Sequence, residues 1–235
     1  MIAGRPSGTV TFLFTDIEGS ARRWETNPDG MGAALADHDG VLRAAIEGHD
    51  GWLFKHTGDG VIAAFGSARA ALDAAVEAQR ALSLPVRMGI ATGDAQQRGD
   101  DYYGPVLNRA ARIMAAGHGG QILLAASAAA LVARDGLDDL GEHRLRDLSG
   151  AEHIFQVRAV GLRTGFPPLR TIDAVPGNLA VQATSFVGRN VEVKELTELV
   201  RAHRLVTLTG VGGVGKTRLA VQIAAELVTE FPDGV

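Results

Sequence analysis

The stretch Thr9-Val10-Thr11-Phe12-Leu13-Phe14-Thr15-Asp16-Ile17-Glu18-Gly19-Ser20 most restricts what this chain can become. Its β-branched and aromatic residues run without a breaker, which predicts a buried strand. The apolar run then stops at an aspartate followed by Glu, Gly and Ser. A carboxylate at a strand end, beside backbone free to turn its N–H groups outward, suits a metal ion carrying phosphates. It equally suits a cap on the helix that follows. The remainder of the chain has to decide between the two.

Downstream, the pattern alternates strands and helices without a βαβ rhythm. A short helix is predicted over Ala21 to Glu25, broken at Asn27-Pro28-Asp29-Gly30, then a longer one from Met31 to Glu47. Gly51 to Phe65 reads as two strands around the glycine-bearing turn Thr57-Gly58-Asp59-Gly60. Ser67 to Ala81 is alanine-rich and helical; Pro85 to Gly93 is a strand. A polar loop from Asp94 to Gly104 leads to a helix from Pro105 to Ala116, with proline in its first turn. Gln121 to Leu124 reads as a strand and Ser127 to Arg134 as a helix. Leu145, with Ile154 to Val157, suggests a closing hairpin. The hairpins predict an α+β fold, a largely antiparallel sheet with flanking helices, over residues 1–160. The prolines at 167, 168 and 176 mark residues 161–185 as a linker, and a further unit is expected over 186–235.

Composition excludes several classes of function. The 235 residues contain no cysteine, which removes disulfides, thiolate metal sites and cysteine nucleophiles. A formal charge of −4 gives no general attraction to nucleic acid or anionic membrane. No apolar run approaches the roughly 18 residues of a membrane span, and no signal peptide is evident, so the default location is the cytoplasm.

Four short pieces carry polar residues that packing alone does not require. They are Asp16; Lys55 with Asp59 on the predicted hairpin; Asp101 before two tyrosines; and Asn108 with Arg112, four apart on one helix face. In order and spacing these resemble the class III adenylate and guanylate cyclases, a likeness that covers residues 7 to 160. The resemblance implies a cyclase fold with a ferredoxin-like core. Asp16 and Asp59 would be the metal carboxylates, grouped with Ile17, and would hold two Mg²⁺ or Mn²⁺ ions per active site. The backbone of Ile17, Glu18, Gly19 and Ser20 would cradle the triphosphate. Lys55 and Asp101 would read the adenine ring nitrogen and amine. Asn108 and Arg112 would orient the ribose and stabilise the phosphate during transfer, and Arg146 is a looser match to a residue that holds the triphosphate.

The chemistry agrees with those residue types. Carboxylates are hard ligands for hard cations, and arginine offers a planar fork to developing negative charge. A donor at Lys55 and an acceptor at Asp101 complement adenine and oppose guanine, which favours ATP as substrate and cyclic AMP as product. The resemblance also implies a head-to-tail homodimer. One copy would supply the two aspartates and the other the base-reading, Asn and Arg groups. The alternative is a catalytically weak nucleotide-binding sensor or dimerisation domain.

Near the C-terminal end, Gly210-Val211-Gly212-Gly213-Val214-Gly215-Lys216-Thr217 is a phosphate-binding loop pattern between a predicted strand, Arg204 to Leu208, and a predicted helix reaching Thr229. Gly210, Gly212, Gly213 and Gly215 would let backbone N–H groups approach phosphate, with Lys216 on the outer phosphates and Thr217 on Mg²⁺. The preceding Phe186-Val187-Gly188-Arg189 resembles the start of the nucleotide-binding domain of multidomain signalling ATPases, frequent in bacterial transcription regulators. On that resemblance the segment is a truncated P-loop α/β piece, too short for ATPase activity alone. It would not bind nucleic acid itself, leaving any DNA-binding domain to a longer parent chain.

Overall fold

A computed structural model describes residues 5–171, 190–227 and 230–231. The first strand, β1 (Gly8–Ile17), lies mid-sheet because its residues are apolar on both faces. Leu13 and Ile17 enter one core; Val10, Phe12 and Phe14 enter the other. After β1 come α1 (Ser20–Thr26), α2 (Pro28–Gly48), the hairpin β2 (Trp52–His56) and β3 (Val61–Phe65), and α3 (Ala68–Ala81). The Asn27 side chain accepts from Gly30 N at 3.1 Å and Pro28 opens α2, so the predicted four-residue break shrinks to one capping residue.

The chain continues through β4 (Val86–Arg98), β5 (Asp101–Tyr103), α4 (Pro105–Ala116), β6 (Ile122–Ala125), the single turn α5 (Ala126–Ala129), β7 (Leu137–Arg144) and β8 (Ala151–Val157). The sheet order is β2-β3-β1-β4-β6-β8-β7, with β5 paired to β4, and only β4 and β6 run parallel among these pairs. The α+β architecture with a mostly antiparallel sheet is therefore as expected. Helices α2 and α3 cover one face and α4 the other. Gly89 permits the closest approach of α4: a Cβ there would lie 2.5 Å from Met114 N and 2.6 Å from Ala110 O.

Three expected boundaries are corrected. Residues 94–104 are a hairpin rather than a loop, because β4 continues five residues past Gly93 and pairs Gln96 with Tyr103 and Arg98 with Asp101. Helix α5 is one turn rather than Ser127 to Arg134, since the chain must turn back at once to lay β7 against β8. Leu145 is not on the closing hairpin's strands but is buried in the connection between them.

By packing, the chain divides into Met1–Thr171 and Ile172–Val235. Residues 161–171, read from sequence as linker, lie on the first unit with Leu169 in its core. In the second unit α6 (Asn190–Ala202) packs on α7 (Lys216–Leu227) through Val193, Leu219, Ile223 and Leu227. The strand expected at Arg204 to Leu208 is not formed, because no strand lies beside it among the described residues to complete a ladder. Phe186 to Arg189 and Thr229 fall outside the described residues. Among the described residues, no helix is long and apolar enough to cross a membrane.

Candidate active site

Asp16 sits one residue before the end of β1, in register with Arg87 of β4. Asp59 reaches it from the β2–β3 turn, where Gly58 takes φ 93° and Thr57 N donates to Gly60 O at 2.9 Å. Gly60 makes this docking possible, since a Cβ there would lie 2.0 Å from Thr15 O. The Thr15 hydroxyl also accepts from Val61 N at 2.9 Å, which pins the hairpin to the strand beside Asp16. The two carboxylates are close enough to interact. Burial, aided by the neighbouring Asp59 and opposed by Arg87, raises the Asp16 pKa above the usual carboxylate value.

Arg87 is the residue that sequence reading missed. Its Nε and Nη2 both reach Asp16 Oδ2, at 2.8 and 2.6 Å, and Nη1 reaches Ala115 O at 3.5 Å. The available signal was a charge inside an otherwise apolar strand, Val86-Arg87-Met88. The guanidinium meets Asp16 as a cation would, and Asp16 with the neighbouring Asp59 has the oxygen donors a hard divalent ion takes. Among the described residues no group of three or more His, Asp or Glu side chains gathers to hold a metal. Further ligands would have to come from backbone, water or substrate phosphate.

Around the turn after β1 the predicted phosphate cradle narrows. Ile17 is held in the ladder opposite Val86, and the Glu18 N–H is spent on Pro85 O at 2.9 Å. Gly19, at φ 70°, precedes α1, so the amides of Gly19 and Ser20 are those that open the helix. The Glu18 carboxylate turns away. Burial opposes its ionisation, but the Gly119 N–H at 2.9 Å and the Arg170 guanidinium hold its pKa below the usual value.

Lys55 and Asp101 come together from β2 and β5, with Nζ 2.6 Å from Oδ2. The other carboxylate oxygen accepts from Tyr102 N at 2.8 Å. Each charge stabilises the other: Asp101 holds the Lys55 pKa up, and Lys55 holds that of Asp101 down. Behind the pair, Trp52, Phe54 and Tyr102 form a ring cluster with Phe12, with centroids 5.1–6.2 Å apart. The N-terminal segment braces it: Tyr102 donates to Pro6 O at 2.5 Å and Arg5 pairs with Asp100 at 2.6 Å.

Asn108 and Arg112 lie one turn apart on α4. Asn108 is exposed, while Arg112 meets Asp147 at 2.5 Å across the β7–β8 connection. Arg112 Nε is buried with no hydrogen-bond partner. Asp147 adopts φ 59° and follows the exposed Arg146 directly, so the loosely matched residue stands on the loop that meets the Arg112 guanidinium. In the second unit the loop before α7 has left-handed Gly213 and Gly215, and Lys216 Nζ donates to Gly210 O and Val211 O at 2.8 and 2.9 Å.

With this geometry in view, the comparisons with known proteins define the class. The profile of the adenylate and guanylate cyclase catalytic domain matches residues 2–157, and the chain belongs to that family. An uncharacterized Mycobacterium tuberculosis protein is 39% identical over 198 residues, which cover 80% of this chain and 70% of that protein. An adenylate cyclase of Podospora anserina is 30% identical over 163 residues, 55% of this chain but 8% of that much longer protein. Among solved structures, a Trypanosoma brucei adenylate cyclase studied in its monomeric state superposes with a TM-score of 0.66 at 29% identity, over 72% of this chain and 95% of that one.

Proposed function

We propose that the chain converts ATP to 3′,5′-cyclic AMP and pyrophosphate at sites shared between two copies. The observation that carries the choice of ATP is the Lys55–Asp101 pair, a donor and an acceptor 2.6 Å apart on a braced hairpin. Adenine offers an acceptor ring nitrogen and a donor amine, which such a pair complements; guanine offers the reverse. In the reaction the ribose O3′ bonds to the α-phosphorus, the bond to the bridging oxygen of the β-phosphate breaks, and the hydroxyl proton leaves to solvent.

Asp16 and Asp59 of one copy would hold two Mg²⁺ or Mn²⁺ ions, with Ile17 contributing through its backbone. Divalent ions there supply acidification of the 3′-hydroxyl and neutralisation of phosphate charge. Arg87, which now pairs with Asp16, would be placed to take phosphate oxygen instead, a partner that suits guanidinium. Asn108 of the other copy orients the ribose, and Arg112 presents its guanidinium to the charge that builds on the α-phosphate. Arg146 stands on the adjoining loop for the outer phosphates. Because one chain carries both sets of groups, a homodimer makes two sites.

The test is incubation with ATP or GTP, with Mn²⁺ or Mg²⁺, followed by separation of cyclic products. Cyclic AMP is expected, and Lys55→Ala and Asp101→Ala are each expected to lower its formation and loosen base choice. An unaltered ATP-over-GTP preference in both variants contradicts the base assignment. The absence of any cyclic product contradicts catalysis.

We further propose that residues 186–235 begin a P-loop unit, the nucleotide-binding start of a signalling ATPase. In support, Gly213 and Gly215 are left-handed in the loop before α7, and Lys216 Nζ lies over the Gly210 and Val211 carbonyls of that loop.

A further inference from the structure

The last described residues of the first unit touch the candidate site from behind. Arg170 N donates to Ala116 O at 2.9 Å, at the end of the helix that bears Asn108 and Arg112. The Arg170 guanidinium reaches Glu18 Oε1, two residues past Asp16. Glu18 Oε2 accepts from Gly119 N at 2.9 Å, and a Cβ on Gly119 would lie 2.8 Å from that oxygen, so the turn after α4 closes directly on the carboxylate. The same turn is held by residues 161–171 at two more points. His118 Nε2 bonds Pro168 O at 3.0 Å, and Gln121 joins Gln156 at 2.6 Å, which in turn donates to Thr164 O at 2.9 Å. Leu169 is buried between these contacts.

From this arrangement, and resting on the cyclase reading above, we propose that residues 161–171 form a strap through which Arg170 positions the metal-bearing turn by way of Glu18. Arg170 is a positioning residue, since it touches Glu18 and not the reacting atoms. A carboxylate gripped on both oxygens fixes the backbone at residue 18, and that backbone sets the direction of Asp16 and of the amides that open α1. The strap also holds the end of α4. It therefore couples the two groups of residues, metal-bearing and transition-state-stabilising, that each copy contributes to different sites.

The test compares the full chain with Arg170→Ala, Arg170→Lys and Glu18→Gln. The readouts are amide hydrogen exchange over residues 17–21 and 116–121, and the Mn²⁺ concentration for half-maximal cyclic nucleotide formation. Arg170→Ala and Glu18→Gln are each expected to speed exchange in both segments and to raise the Mn²⁺ midpoint about ten-fold. The double variant is expected to do no worse than either single one, and Arg170→Lys to recover most of the loss. An ion pair of purely structural role leaves the Mn²⁺ midpoint where it is, even where local exchange speeds up. Wild-type exchange and a wild-type midpoint in Arg170→Ala overturn the proposal, as does simple addition of the two single effects. If the wild type forms no cyclic nucleotide, the cyclase reading falls, and exchange at residues 17–21 in Arg170→Ala alone decides for or against the strap.

Discussion

Asp16 and Asp59 approach each other in a half-buried site, and Arg87 offsets only part of the cost. Removing one carboxylate should therefore separate stability from function. Asp59→Asn is expected to lower cyclic AMP formation at least about a hundred-fold while thermal unfolding stays at or slightly above the wild-type temperature. A large fall in both would mean that Asp59 is a structural residue. The Lys55–Asp101 pair behaves differently with pH. The lowered Asp101 pKa gives a contribution to stability that is present above the ordinary value of 3.8 and lost as pH falls through the lowered one. The raised Lys55 pKa gives one that is present below 10.5 and lost as pH rises through the raised value. The clamp is thus intact throughout neutral pH. The ratio of ATP to GTP use, measured from about pH 6 to about pH 9, is expected to be flat, and a drift across that window would contradict the assignment. Asp16, Lys55, Asp59, Asp101, Asn108 and Arg112 stand out in the sequence because each lies in a short motif whose order and spacing resemble the cyclases. Arg87 and Asp147 do not, because their roles arise from contacts 71 and 35 residues away, to Asp16 and Arg112, which no local pattern encodes.

At the scale of elements, glycines set how closely the pieces of the site approach. Gly89 lets α4 lie on β4, and Gly60 lets the β2–β3 turn lie on β1. Gly89→Ala must push α4 away from backbone atoms that cannot yield cheaply. It is expected to cost about 1–3 kcal/mol in denaturant unfolding and to lower kcat by displacing Asn108 and Arg112 together. Unchanged stability would show that the helix can shift without consequence. Most helices and strands of the first unit were readable from apolar spacing, caps and turn residues, as with Asn27 ahead of α2 and Pro105 at the head of α4. The exceptions have physical causes. Residues 94–98 are polar apart from Ala95 because the outer end of β4 is largely exposed, so the apolar pattern faded although the ladder to β5 continued. The stretch after Ala129 kept helical composition, but tertiary pairing of β7 with β8 claimed the chain. The strap was invisible for a similar reason: its prolines resemble a linker, and only Leu169 and Thr171 are deeply buried.

For the whole molecule, the division of labour between copies is the central claim. Each chain bears an aspartate pair and, separately, the Lys55–Asp101 clamp with the α4 residues. The fold family is that of adenylate and guanylate cyclase catalytic domains. Mixing two inactive variants, Asp59→Ala and Asn108→Ala, tests this most directly. In a random mixture half the dimers are mixed, and each mixed dimer places both defects in one site and leaves its other site whole. Cyclic AMP formation is expected to return to about a quarter of the wild-type rate although each variant alone is inactive. A mixture as inactive as its components would contradict a site built from two copies.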